Sequence, residues 1–261
     1  MTVRPINLRE ALLMLLTVSS GAVDAICFLA FGKVFSAFMT GNLVFLGIGA
    51  AGAFKPGGPN MLRVGAAIVA FSVGVFVVTW MIKRARRSRV RAHGISWSLG
   101  AVFVTQLGFL AGWTAVSGHA STTFATVLTA IEALAMGMQS GAVGSLGVKG
   151  VFTTAATGSV INLFREVADR RVSDTDPARN VRVLICLIGG AAAGGLLLVN
   201  ARTYAPLVPT VATALAIGTH FQARRRAAGE SDPSDGVAVL DVQRREPLVK
   251  EDPADGYGEV A

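Results

Sequence analysis

Long apolar runs constrain this chain more than any other feature. Ala11–Phe31, Met61–Ile82, Ile95–Val116, Thr122–Gly147 and Val181–Ala201 all reach the length of about 18 residues that suggests a membrane span. A sixth run, Ala205–Phe221, is shorter and uncharged apart from His220. The rest of the composition agrees, with 52% hydrophobic residues, 15% charged residues and a mean hydropathy of +0.56. A soluble domain carries about a quarter charged residues. The expected fold is an all-α polytopic membrane protein.

The first run follows Arg4 and Arg9, as a signal peptide would, but Glu10 heads it and apolar residues continue to Phe31, so a retained helix is favoured. Cys27 and Cys186 lie inside apolar runs and read as small packing residues rather than a disulfide pair. The net charge of +8 is concentrated beside the runs, at Lys83–Arg91 and Arg224–Arg226. Membrane topology explains such clusters first and anionic lipid second, so nucleic acid is not an expected partner. From Gly229 the chain turns polar and rich in Asp, Glu and Pro, which is the composition of a disordered tail.

Two stretches interrupt the apolar pattern in the same way: "VFSAFMTGNLVFL" from Val34 and "VFTTAATGSVINL" from Val151. At an offset of 117 their Val, Phe, Thr, Gly and final Leu coincide. "SGAV" at Ser20 and Ser140 and "RV" at Arg63 and Arg182 repeat at offsets of 120 and 119. The ordered series points to a duplicated unit of roughly 120 residues. The positive-inside rule then tests its orientation. With a cytoplasmic N-terminus, two crossing segments would put the six Lys/Arg of Lys83–Arg91 outside. If only the second segment crosses, Arg165, Arg170, Arg171, Arg179 and Arg182 go outside. If neither crosses, Lys33, Lys55, Arg63 and Arg202 are outside and the other 20 of the 24 Lys/Arg are inside.

The expected architecture is therefore about six transmembrane helices plus two re-entrant or half-helix segments in an inverted-topology repeat. It comprises residues 1–10 as a cytoplasmic N-terminus, 11–116 and 117–223 as the two membrane repeats, and 224–261 as a cytoplasmic tail. Val151–Phe164 is too short to cross, about 21 Å of helix against a core of about 30 Å. Val34–Ala53 is long enough to cross, so the first copy is the weaker case.

Thr40 and Thr157 are expected to cap half-helices near the membrane centre, after extended entries through Ser36–Met39 and Thr153–Ala156. Gly41 and Gly158 permit a close approach, and Asn42 and Ser159 add hydrogen-bonding side chains. Together these six residues form a candidate solute site, since helix N-termini facing a cavity favour an anion or a polar solute. A continuous helix with Thr back-bonded to its own turn is the structural alternative.

Asp24 and Glu132 lie within spans, where a carboxylate is costly unless it is paired, protonated or turned inward. Both are candidate proton-coupling residues, with a satisfied structural carboxyl as the rival. The pairs Gly108/Gly112, Gly137/Gly141 and Gly190/Gly194 suit close helix packing. Trp80, Trp97 and Trp113 fall near span ends, as an aromatic belt would place them. The chain offers no phosphate loop, metal-ligand spacing or nucleophile–base arrangement, so neither enzymatic activity nor a cofactor is expected.

Over Ser20–Gly47 the chain resembles the YoaK family of bacterial integral membrane proteins, which carry a domain of unknown function. The resemblance rests on Gly21, Asp24, Phe35, Thr40, Gly41 and Asn42 in that order and extends in outline to about Phe221. It implies a multi-pass protein of the bacterial cytoplasmic membrane with about six spans, and supplies no substrate. The expected function is a secondary transporter or facilitator for a small polar or anionic solute, with proton coupling at Asp24. A channel and a non-transporting scaffold or sensor are the alternatives. Both termini are expected in the cytoplasm. Expected partners are the solute and the bilayer, with anionic lipids and a second copy of the chain as further candidates.

Overall fold

The protein is described by a computed structural model that covers residues 7–54, 56–87, 94–145, 156–168 and 177–229. Residues 1–6, the 88–93 part of the basic loop, the entry at 153–155, Arg170, Arg171 and the tail from residue 230 lie outside the described residues. Among the described residues, eight α-helices run in order: α1 (Leu8–Ala30), α2 (Met39–Ala50), α3 (Met61–Arg87), α4 (Gly94–Ala115), α5 (Thr122–Ser145), α6 (Ala156–Ala168), α7 (Pro177–Asn200) and α8 (Leu207–Gly229). A single 3-10 turn, Arg202–Tyr204, precedes α8.

Local chemistry sets several of these boundaries. Asn7 caps α1 by accepting the Glu10 N–H at 2.9 Å, and Glu10 sits at the positive end of the helix dipole. After α1 the chain turns through Gly32 and Lys33, at φ 79° and 63°. This left-handed geometry is easy for glycine and uncommon for lysine. Pro177 opens α7, where its missing N–H is no loss.

Among the described residues, α1, α3, α4, α5 and α7 are long and apolar enough to cross a membrane. The chain is a polytopic all-α membrane protein. The sixth expected span does form helix α8, but Gln222 and Arg224–Arg226 continue it as polar helix, and it is not among those five. Val34–Ala53, long enough to span on paper, is helical only over the 12 residues of α2. That helix is about 18 Å long, well short of the core.

The halves repeat one order of lengths: long, short, long, long. Helix α1 packs on α7, α5 packs on α3 and on α4, α2 rests on α3 and α6 on α7. Glycine makes the two main crossings. A Cβ on Gly21 would overlap the Leu187 carbonyl oxygen, and one on Gly137 would overlap that of Phe71. Gly190 stands in the same way against Val18, and Gly74 against Leu134. Gly21 and Gly137 are 116 residues apart, as are Phe71 and Leu187, Val18 and Leu134, and Gly74 and Gly190. Helices α2 and α6 start 117 apart, at Met39 and Ala156.

The packing register thus differs from the offsets of 120 and 119 suggested by the "SGAV" and "RV" matches. Small residues recur every four positions, so a match between them slides by one helical turn at little loss. At an offset of 116, Asp24 stands at the position of Ser140 and Glu132 at that of Leu16.

Polar groups tie the helices where lipid cannot. Arg63, 6% exposed, donates to the carbonyls of Phe31 and Thr122 and to Thr126 Oγ1, so the start of α3 is fastened to the end of α1 and the start of α5. Gln106 Nε2 donates to Ser19 Oγ at 3.0 Å, and Ser19 shares a bond of 3.1 Å with Thr213. Trp113 departs from the aromatic-belt expectation. It is fully buried against Phe31 and Phe109, and its Nε1 donates to the Arg202 carbonyl at 2.8 Å. Trp80 and Trp97 are exposed.

Candidate functional site

The segment Val34–Phe38 is non-helical between α1 and α2. Away from water its backbone groups need partners within the protein. Two side chains supply them. Asp24 Oδ1 accepts the Ser36 N–H at 2.8 Å, the Ala37 N–H at 2.7 Å and the Ser36 hydroxyl at 3.1 Å. Asn42 Oδ1 accepts the Phe35 N–H at 3.0 Å while its Nδ2 donates to the Phe35 carbonyl at 2.6 Å. Gly41 completes the arrangement. A Cβ there would come within 2.8 Å of the Phe38 ring and 3.0 Å of the Phe35 ring.

This explains Thr-Gly-Asn as a local instruction. Asn42 clasps the entering segment and Gly41 leaves room for its two aromatic rings. Thr40 does not cap the helix: the N-cap of α2 is Phe38, which makes no side-chain capping bond, and Thr40 is exposed at the second helical position. Asp24, one helix away, instead accepts the N–H groups of Ser36 and Ala37 just ahead of the helix. The second copy has the same register. Thr157 is exposed at the second position of α6, and Ser159 is fully buried at the fourth, like Asn42 in α2. Ser159 Oγ has no hydrogen-bond partner among the described residues, and the space around Gly158 is open.

A cavity of about 430 Å³ adjoins this segment. Ser20, Asp24 and Phe28 line it from α1, Phe35 and Phe38 from the entering segment, and Ala156 from the first position of α6. The wall is completed mainly by Leu187 and Ala191 of α7. Of the eight candidate residues read from the sequence, Asp24 alone is among the lining residues. Thr40, Gly41, Asn42, Thr157, Gly158 and Ser159 build or flank the short helices around it, and Glu132 lies deeper in the bundle.

The family described as "Protein of unknown function (DUF1275)" matches residues 12–219, which span both halves and every candidate residue. The chain belongs to that family. Its similarity to the UPF0700 transmembrane protein YoaK of Bacillus subtilis (strain 168) is 29% identity over 167 residues, covering 62% of this chain and 68% of that protein. No solved structure matches. Within this DUF1275 chain, the residues that carry the YoaK resemblance now have places. Gly21 admits α7, Asp24 and Asn42 hold the entering segment, Phe35 forms part of the cavity wall, and Gly41 makes room for it.

Glu132 is fully buried on α5, and neither carboxylate oxygen has a hydrogen-bond partner among the described residues. It lies within electrostatic reach of Asp24 and of the Cys27 thiol, which also faces Ser36 and Arg63. One turn pair further along α5, Gln139 Nε2 donates to the Leu16 carbonyl at 3.0 Å. The sequence reading missed Ser20 and Phe28 although their signal was present. They flank Asp24 at four-residue spacing and so share its helix face. Phe38 carried no such signal, because its place depends on the turn at Gly32–Lys33.

Proposed function

We propose that this protein is a secondary transporter or facilitator that moves a small solute across the bacterial cytoplasmic membrane, with both termini in the cytoplasm. The observation that carries the reading is the cavity bounded at once by the entering segment of one short helix, the first residue of the other, and the long helices α1 and α7. Two short helices, starting 117 residues apart in chemically similar sequence, support a duplicated unit. The distribution of Lys and Arg supports the opposite orientation of its copies. Inverted repeats whose broken helices meet at a solute cavity are a recurrent construction of secondary transporters.

In this reading Asp24, at the cavity wall, and Glu132, unpartnered behind it, exchange protons as the solute passes. Cys27 and Glu132 are titratable groups within electrostatic reach of Asp24. Purified protein in vesicles containing a pH-sensitive dye tests this. Addition of amine, amino-acid and organic-acid solutes in turn should evoke proton movement for at least one class, and Asp24→Asn should abolish it. Vesicles that respond no differently from protein-free ones for every class would remove the transport reading. Flux that an imposed proton gradient cannot drive uphill would mark a channel.

A further inference from the structure

The cavity beside Asp24 has a chemistry narrower than "polar or anionic". Its volume of about 430 Å³ falls in the range of roughly 300–1,000 Å³ typical of small-molecule sites. Three phenylalanine rings form one side. Phe28 stacks on Phe35 with centroids 5.0 Å apart, and Phe38 meets Phe35 edge to face at 5.2 Å. The polar side chains among the described lining residues are Asp24 and Ser20. Ser20 is 1% exposed, and its hydroxyl has no partner among the described residues. No Lys, Arg or His is among the described lining residues.

These features discriminate between guests. An anion would meet a carboxylate and no cationic side chain, between apolar walls that strengthen the repulsion. A wholly apolar guest would cover the Asp24 carboxylate without a counter-charge and leave the Ser20 hydroxyl without a partner. A cation carrying apolar groups answers every feature. Its charge pairs with the Asp24 carboxylate, whose Oδ1 takes the three hydrogen bonds from Ser36 and Ala37 and which the Phe38 N–H also faces. Its apolar groups lie against the rings, whose faces attract positive charge. Ser20 accepts a hydrogen bond from a protonated amine or from its water. The anion expected from helix N-termini at Thr40 and Thr157 loses its basis here, because neither threonine lines the space.

We propose that this cavity binds an organic cation with apolar substituents, Asp24 supplying the counter-charge and Phe28, Phe35 and Phe38 the wall. The proposal deepens the transport reading and rests on it for passage across the membrane, whereas binding is measured without transport.

The test uses the full chain in lipid nanodiscs and equilibrium dialysis with benzyltrimethylammonium, a permanent cation. Its competitors are neopentylbenzene, the uncharged isostere, and phenylmethanesulfonate, the anion. The cation should bind saturably, and neither competitor should displace it. Asp24→Asn keeps the Oδ1 acceptor for Ser36 and Ala37 but removes the charge, and should weaken binding by about tenfold or more. Ala25→Leu fills the cavity from α1 without touching those hydrogen bonds and should weaken it at least as much, which covers the case in which Asp24→Asn fails to fold. Displacement by the anion or the neutral isostere at equal concentration overturns the proposal, as does unchanged affinity in Ala25→Leu. Cation binding without flux for any solute class leaves this site standing and removes transport. Flux of an anionic solute without cation binding does the reverse.

Discussion

Asn42 and Phe35 exchange two hydrogen bonds across seven residues, at 3.0 and 2.6 Å, with the side chain of one standing in for the backbone partner that the other lacks. The pair closes the corner where the chain leaves α1 and begins a helix of only 12 residues. It also presents the Phe35 ring to the cavity. A motif that resembles a solute site in the sequence is thus, in its first occurrence, a brace for the corner beside the cavity.

Asn42→Ala should destabilise the protein by about 1–3 kcal/mol, because it leaves the Phe35 N–H and C=O without partners away from water. Asn42→Asp retains the acceptor, loses the donor and adds a buried charge, so it should cost at least as much. Unfolding midpoints in detergent micelles check both. An unchanged midpoint for Asn42→Ala would mean the corner is held by something else.

Gly21 and Gly158 should respond to alanine in opposite ways. Gly21→Ala forces a methyl group into the Leu187 carbonyl, a backbone group that cannot swing aside, and should cost about 1–3 kcal/mol or more. Gly158→Ala meets open space in the first turn of α6 and should stabilise the fold by about 0.5–1 kcal/mol. Should Gly158→Ala be stable yet transport-defective, Gly158 belongs to the solute path.

Glu132 gives a stability and function contrast. Glu132→Leu replaces a buried carboxyl group without partners by an apolar side chain and should leave stability unchanged or raise it. The same substitution should uncouple solute movement from protons. A large loss of stability together with normal coupling would identify Glu132 as structural.

Arg63→Lys should lose most of the guanidinium's work, since one ammonium cannot reach the Phe31 and Thr122 carbonyls and Thr126 together. A loss of about 1.5–3 kcal/mol is expected for hydrogen bonds from a charged donor, again read from unfolding midpoints.

Membrane sidedness is decided by single cysteines on a background without Cys27 and Cys186. Lys33 and Ala53, both exposed, should label from one outer side, and Thr153 and Arg165 from the cytoplasm. Labelling of Lys33 and Ala53 from opposite sides would mean that the first short helix crosses.

The spans were legible because burial in lipid is written in composition. Runs of apolar residues need no tertiary partner to declare themselves, and α1, α3, α4, α5 and α7 lie where the runs predict. The place of the short helices was legible too, since Thr-Gly-Asn and Thr-Gly-Ser interrupt those runs at the same register. Asp24 was singled out because a carboxylate in a span is costly wherever it points.

What the sequence could not decide was which atoms meet. The hydrogen bonds from Ser36 and Ala37 to Asp24 cross 12 and 13 residues and depend on a left-handed turn between them. The register of the two halves is set by glycines fitting against carbonyls on other helices, a steric condition that a four-residue periodicity satisfies equally well one turn away. Trp113 was placed at the rim by its position in a run and in the core by its contacts with Phe31 and Phe109. Composition determined that this chain lives in a membrane as helices; only their packing brought a carboxylate, a hydroxyl and three aromatic rings around one cavity, because contact between residues distant in the chain is a property of the assembled bundle.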